Sequence, residues 1–323
     1  MQMFFNKSQE TYNISLKKFS KIKNKICILR TCGGLGDIIN MRMIFEDIKK
    51  LYPQFHITWA LPSNYFAAAE NHPYVDAVVH CGDLDRSEYL QIYNLTNACT
   101  RYEWAKGKDN DKNRADIWAE HIGIKLHSYN THMPSYYSEF ENIKSKLKMI
   151  GWDGNKKLIS FAPRSALAVK NLTQQQVEYI KNLTKDFFLV IVHSYPILEF
   201  VHLGIPMLTG MPLKEAIATI QLCDMNISTD TGIMHIAGAY GKPSMAIFSY
   251  TNGYNIAKYY KNANIVQKHI IDNTSTCGPC NNYYNCTESD NPESKPCMTT
   301  IGPDMLSKGW NKLLENYTKY INN

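Results

Sequence analysis

The sequence predicts an α/β protein made of two units, each with a parallel, doubly wound sheet. Three observations predict it. Short apolar runs alternate with amphipathic stretches at helical spacing. The alternation occurs twice, on either side of a charged stretch at Lys144 to Lys157 that carries Gly151 and Asp153-Gly154. In each half a glycine-bearing turn follows directly on a strand. A chain of 323 residues has room for two domains with sizeable cores, and the composition change sets them at 1–150 and 151–323.

In the first half, Lys25 to Thr31 reads as a buried strand and Cys32-Gly-Gly-Leu-Gly-Asp37 as a glycine-rich turn. A helix is expected over Ile38 to Tyr52, with Ile39, Met43, Ile44, Ile48 and Leu51 on its apolar face and Pro53 ending it. His56 to Leu61 is a second strand, Tyr65 to Asn71 a second helix and Val75 to His80 a third strand. Residues 84 to 140 are rich in Tyr, Asn and charge, and only Ala115 to Ile122 reads as a helix. Their aromatics (Tyr89, Tyr93, Tyr102, Trp104, Tyr129, Tyr136 and Tyr137) fit either half-buried packing or a stacking surface for sugars or bases.

The second half opens with the strand Leu158 to Ala162 and the loop Pro163 to Lys170. A helix at Gln174 to Leu183, a strand at Phe187 to His193, a short helix at Leu198 to Leu203 and a short strand at Pro206 to Leu208 follow. Leu213 to Cys223 is a helix leading into residues 228 to 249, around which the chain is organised. There a strand ends at Met225 to Ile227 and Asp230-Thr231-Gly232 turns the chain. Ile233 to Tyr240 forms a helix closed by Gly241 and Pro243, and Ser244 to Phe248 is the next strand. Pro303 to Ile321 closes the chain as an amphipathic helix.

A strand, a tight turn and a helix start present unpaired N–H groups and a positive dipole end, which suit a phosphate or diphosphate. Gly232 leaves room for the anion, and Thr231 and His235 can add donors. Arg164 and Lys170 stand at a strand end of the same unit and can meet that diphosphate. Glu199 can accept hydrogen bonds from a ribose. In the first unit Gly34 and Gly36 let a substrate approach the backbone, and Asp37 faces the cleft at the sheet's C-terminal edge. An ordinary strand-turn-helix with a capping Asp and a buried His is the competing reading of both turns.

Hydrophobic residues make up 44% and charged residues 20%, the composition of a soluble globular protein. No apolar stretch approaches the roughly 18 to 20 residues needed to cross a bilayer, and Met1 to Glu10 has no signal-peptide core. A cytoplasmic protein is expected. The net charge of +6 lies in residues 1 to 30, where seven basic side chains face Glu10 alone. Such an arm can contact anionic lipid, lipopolysaccharide phosphates or nucleic acid, or be a solvated leader. Nine cysteines without a leader argue against a disulfide framework. Four of them, Cys277, Cys280, Cys286 and Cys297, are spaced to wrap a tetrahedral Zn or Fe in a structural role.

Taken together, these stretches resemble the ADP-heptose heptosyltransferase family of lipopolysaccharide synthesis. The resemblance rests on Gly-Leu-Gly-Asp37 with Leu-Tyr-Pro53 and Pro73-Tyr-Val-Asp76, on Asp230-Thr-Gly-Ile-Met-His235 with Gly241-Lys-Pro243 and Thr251, and on the Cys-x-Pro-Cys group ending at Lys-Pro-Cys297-Met. It implies a GT-B fold, in which two Rossmann-like domains face one another across a central cleft. The first domain would take the acceptor and the second the nucleotide-sugar. It further implies an inverting transfer with Asp37 as general base, Lys170, Thr231, Gly232 and His235 on the diphosphate, and no metal required for catalysis. Acceptors open to this reading are the lipopolysaccharide core, a hydroxylated DNA base or a protein. A nucleotide-sugar-binding protein without turnover is the alternative of a different class.

Overall fold

Strands inside a parallel sheet are covered on both faces and therefore read as continuous apolar runs. The computed structural model, which describes residues 24–268, 279–281 and 296–322, forms two such sheets. In the first, β1 (Lys25–Leu29) is followed by α1 (Leu35–Met41), a 3₁₀ turn (Arg42–Ile44), α2 (Phe45–Leu51) and β2 (His56–Leu61). Then come α3 (Phe66–Ala69), β3 (Ala77–His80), β4 (Gln91–Asn94), α4 (Ala98–Lys106), α5 (Arg114–Ile122) and α6 (Phe140–Met149). The sheet order is β3-β2-β1-β4, all parallel, with Cys27 between Thr58 and Ile92.

The second sheet takes β5 (Leu158–Ala162), α7 (Gln174–Leu183), β6 (Phe188–His193), β7 (Met207–Thr209), α8 (Leu213–Leu222), β8 (Met225–Thr229), α9 (Gly232–Ala239), β9 (Ser244–Phe248), α10 (Gly253–Ile256) and β10 (Ala263–Gln267). Two more helices, α11 (Pro296–Thr299) and α12 (Pro303–Ile321), follow. The order is β10-β9-β8-β5-β6-β7, again parallel throughout. On α12, Leu306, Trp310, Leu313 and Tyr317 are buried at helical spacing against this sheet.

Each sheet reverses its winding once, between β1 and β4 in the first and between β5 and β8 in the second. Ligands of open α/β sheets bind beyond the strand C-termini at such points. The turns after β1, β5 and β8 line one shared cleft.

Three expected elements differ. The helix expected over Ile38 to Tyr52 begins earlier, at Leu35, and is broken into two α segments by the 3₁₀ turn. The break coincides with Arg42, a fully buried side chain whose guanidinium donates to the carbonyls of Ala68, Glu70, Thr131 and His132. The stretch Lys144 to Lys157 begins inside α6, because Ile143 and Leu147, one turn apart, are both buried. Residues 84–140, in which only one helix was expected, also supply β4 and α4, a short polar edge strand and a helix of low amphipathicity.

That tyrosine-rich stretch ties the two halves together. Tyr129 stacks on Tyr259 with ring centroids 3.9 Å apart, and Tyr259 donates to Asp116 at 2.7 Å. Tyr136 is buried, whereas Trp104 and Tyr137 are exposed. Asn113, fully buried, caps α5 by accepting from Ala115 N–H at 2.8 Å and donates to the carbonyls of Asn255 (2.8 Å) and Ile256 (2.9 Å). Asn113→Ala removes a helix cap and takes a donor from the buried Ile256 carbonyl and the part-buried Asn255 carbonyl, and should cost about 2–3 kcal/mol. Urea denaturation checks this; an unchanged midpoint would contradict the role given to this contact.

Candidate functional site

The glycine turn after β1 delivers Asp37 into the first turn of α1, where the helix dipole favours a negative charge. The carboxylate is buried and fully paired. Arg30 Nη2 donates to Oδ2 at 2.5 Å, and Arg114 Nη1 donates to Oδ1 at 2.5 Å. Arg30 projects from the end of β1 and is backed by the Trp118 ring 5.2 Å away. Arg114, at the start of α5, also grips Glu103 through Nε (2.7 Å) and Nη2 (2.8 Å). Burial alone would raise the Asp37 pKa; Arg114 and Arg30 outweigh it and hold the group at about 2.

The opposite wall is the Asp230-Thr231-Gly232 turn between β8 and α9. Asp230 is buried, and its Oδ2 accepts from Lys170 Nζ at 2.6 Å and from Thr251 Oγ1 at 2.9 Å. Burial opposes its ionisation, but Lys170 holds its pKa below the ordinary carboxylate range. Thr231 Oγ1 is buried with no hydrogen-bond partner among the described residues. His235 Nε2 lies 3.9 Å from Asp230 Oδ1, and its Nδ1 is 2.9 Å from the Tyr260 hydroxyl.

The two walls touch where their helices begin. A Cβ placed on Gly36 would come within 2.3 Å of the His235 ring, and one on Gly232 within 2.7 Å of the Leu35 side chain. Both glycines are therefore required by the close approach of α1 and α9. Beside this contact opens a cleft of about 770 Å³. Gly34, Gly36, Asp37, Arg164, Lys170, Asp230, Thr231, Gly232 and His235 all line it.

Glu199 is not among the cleft-lining residues. It stands behind Arg164, accepting from Arg164 Nε at 2.6 Å, while Arg164 also lies over the Phe200 ring. Of the two cations after β5, Lys170 is the one that reaches Asp230. Sequence reasoning named Thr251 only as part of the Asp230 motif and missed Arg30, Arg114 and Tyr260. Arg30 carried a usable signal, a charged residue at the C-terminal end of a buried strand; the others lie far from the motifs in sequence.

Residues 198–285, which include the Asp230 turn, match the model of glycosyltransferase family 9 (heptosyltransferase). The matched segment is about a quarter of the chain. Over 172 residues it is 29% identical to an Escherichia coli (strain K12) protein named "Putative lipopolysaccharide heptosyltransferase 4", a match covering 50% of this chain and 43% of that protein. Among solved structures it is similar to a glycosyl transferase family 9 protein from Veillonella parvula (TM-score 0.67, 17% identity, covering 90% of this chain and 97% of the other). It is also similar to ADP-heptose lps heptosyltransferase II of Escherichia coli (TM-score 0.64, 13% identity, 90% and 99%). A third is the iron-containing, dodecameric heptosyltransferase TibC in complex with ADP-D-beta-D-heptose (TM-score 0.65, 12% identity, 91% and 76%). These likenesses show an α/β fold of the GT-B heptosyltransferase kind.

Of the four cysteines near the end of the chain, Cys277 and Cys286 lie outside the described residues, as does most of the basic N-terminal arm. Cys280 and the buried Cys297 share a small apolar cluster with Val169, Tyr250 and Leu167. Among the described residues no group of three His, Cys, Asp or Glu is placed to hold a metal, and no helix is long and apolar enough to cross a membrane.

The pairing of Asp37 sets a pH dependence. Its folded pKa of about 2 lies below the unfolded value near 3.9, so its contribution is complete above about pH 4 and is lost as pH falls toward 2. For this shift the loss is about 2 kcal/mol. Denaturation at pH 6 and pH 3 should show wild type losing more stability than Asp37→Asn over that interval. Equal losses would mean that the ion pairs contribute nothing.

Proposed function

We propose that this protein is an inverting glycosyltransferase that moves a sugar from a nucleotide-diphosphate donor of the ADP-heptose kind to an acceptor hydroxyl. The observation that carries the reading is the placement of Asp37 and the Thr231-Gly232 turn on facing walls of one cleft, each at a helix start. The family 9 match supports it, since it covers the second of these walls.

The diphosphate belongs at the start of α9. The first N–H groups of a helix have no intrahelical partner, the Thr231 hydroxyl lacks a partner among the described residues, and Lys170 uses one of its three donors on Asp230. These groups, with His235, neutralise the charge that grows on the departing diphosphate, as preorganised donors do in general. In this reading the side chains supply what a divalent ion would supply elsewhere.

Asp37 then receives the acceptor's proton. Its low pKa makes it a weak base toward a free alcohol. An alcohol that is bonding to the anomeric carbon becomes far more acidic than a carboxylic acid, so the proton moves downhill to Asp37 late in the displacement. The acceptor reaches Oδ1 on the Arg114 side, because Arg114 keeps 27% of its side chain exposed against 6% for Arg30. The remaining parts of the reading are an acceptor domain at 1–150, a donor domain at 151–323, and a structural Zn or Fe held by the four cysteines.

One observation favours a binder without turnover: both oxygens of Asp37 are already occupied. Asp37→Asn separates the two readings. A transferase should lose turnover of ADP-heptose with an acceptor by roughly 10²- to 10⁴-fold while its nucleotide affinity stays within a few-fold. Undiminished turnover in the variant would remove Asp37 as base, and absence of turnover in wild type across lipopolysaccharide-core, protein and DNA acceptors would favour the binder.

A further inference from the structure

A buried phenol must give its hydrogen to an acceptor. Tyr260 is 4% exposed, and its ring fills the space beside Gly238 of α9, where a Cβ would come within 2.4 Å of it. Its hydroxyl oxygen is 2.9 Å from His235 Nδ1, and among the described residues no other group is hydrogen-bonded to that hydroxyl. Two arrangements satisfy the distance. If Nδ1 carried the hydrogen and gave it to the phenol oxygen, the phenol hydrogen would be left without an acceptor in the interior. If Tyr260 donates, both groups are satisfied, and a neutral His235 carries its own hydrogen on Nε2.

Nε2 is the ring nitrogen that does not face Tyr260. Asp230 Oδ1, at 3.9 Å, is too far to take a hydrogen bond from it, and His235 is one of the residues that line the cleft. The contact of the ring with Gly36 fixes its plane from the other domain. We propose that Tyr260 is a positioning residue that locks His235 in the Nε2–H tautomer, and so aims a neutral N–H donor at an anionic oxygen bound in the cleft. Only the identity of that anion, a nucleotide diphosphate, rests on the function proposed above. A hydrogen-bond partner that selects which ring nitrogen bears the hydrogen acts on ligand binding without touching the ligand.

Long-range proton–nitrogen NMR of the full chain labelled with ¹⁵N-histidine tests this, with His235 assigned through His235→Gln. Wild type should show Nε2 protonated and Nδ1 bare. In Tyr260→Phe, which keeps the ring beside Gly238, the Nδ1–H tautomer should appear. ADP should then bind several-fold more weakly, while adenosine, which has no phosphate, binds as before. Wild-type His235 carrying its hydrogen on Nδ1 would overturn the proposal, as would a Phe variant with unchanged tautomer and ADP affinity. Should wild type bind no ADP at all, the nucleotide-diphosphate reading fails, while the wild-type spectrum still decides the tautomer.

Discussion

The close contact between the starts of α1 and α9 is the constraint on which the site depends. Gly36 lies against the His235 ring and Gly232 against Leu35, with no room for a Cβ at either position. Because both helices begin there, their positive dipole ends point into one cleft. A substitution at either glycine would separate Asp37 from the Asp230-Thr231-Gly232 turn as well as repack a core.

Charge is balanced in this cleft before any ligand arrives. Arg30 and Arg114 pair with Asp37, Arg114 also with Glu103, Lys170 with Asp230, and Arg164 with Glu199. Buried charges persist only when paired and hydrogen-bonded, which accounts for the depth at which Asp37 and Asp230 stay ionised. In the proposed function an anionic ligand would share cations that carboxylates already hold in place, so the donors would need little reorganisation. Tyr129 on Tyr259 and Asn113 on the carbonyls of α10 tie the halves together beside this cleft.

Much of this was legible in the sequence, for a physical reason. Parallel strands are buried on both faces, so β5, β9, α7 and α12 fall on the residues that their apolar patterns mark. The Asp230 and Asp37 turns were legible because glycine next to a strand end has few other uses. The polar edge strand β4 was not, since Gln91 to Asn94 is half exposed and has no periodicity to read. Nor were the partners of the site. Arg114 meets Asp37 across 77 positions, and Tyr260 meets His235 across 25; local pattern carries no information about such pairs. The tyrosine-rich stretch had two readings; Tyr136 is buried in packing, whereas Tyr129 stacks on Tyr259 and stays exposed.

The central claim is that one cleft holds a nucleotide diphosphate at the start of α9 and presents its sugar-bearing end to Asp37. A crystal structure of the chain with ADP tests it most directly. The account predicts the diphosphate within hydrogen-bond distance of Gly232 N–H, the Thr231 hydroxyl and Lys170 Nζ, with the terminal phosphate directed toward Asp37. Nucleotide bound outside this cleft, or inside it with its phosphates turned away from residue 232, would contradict the account.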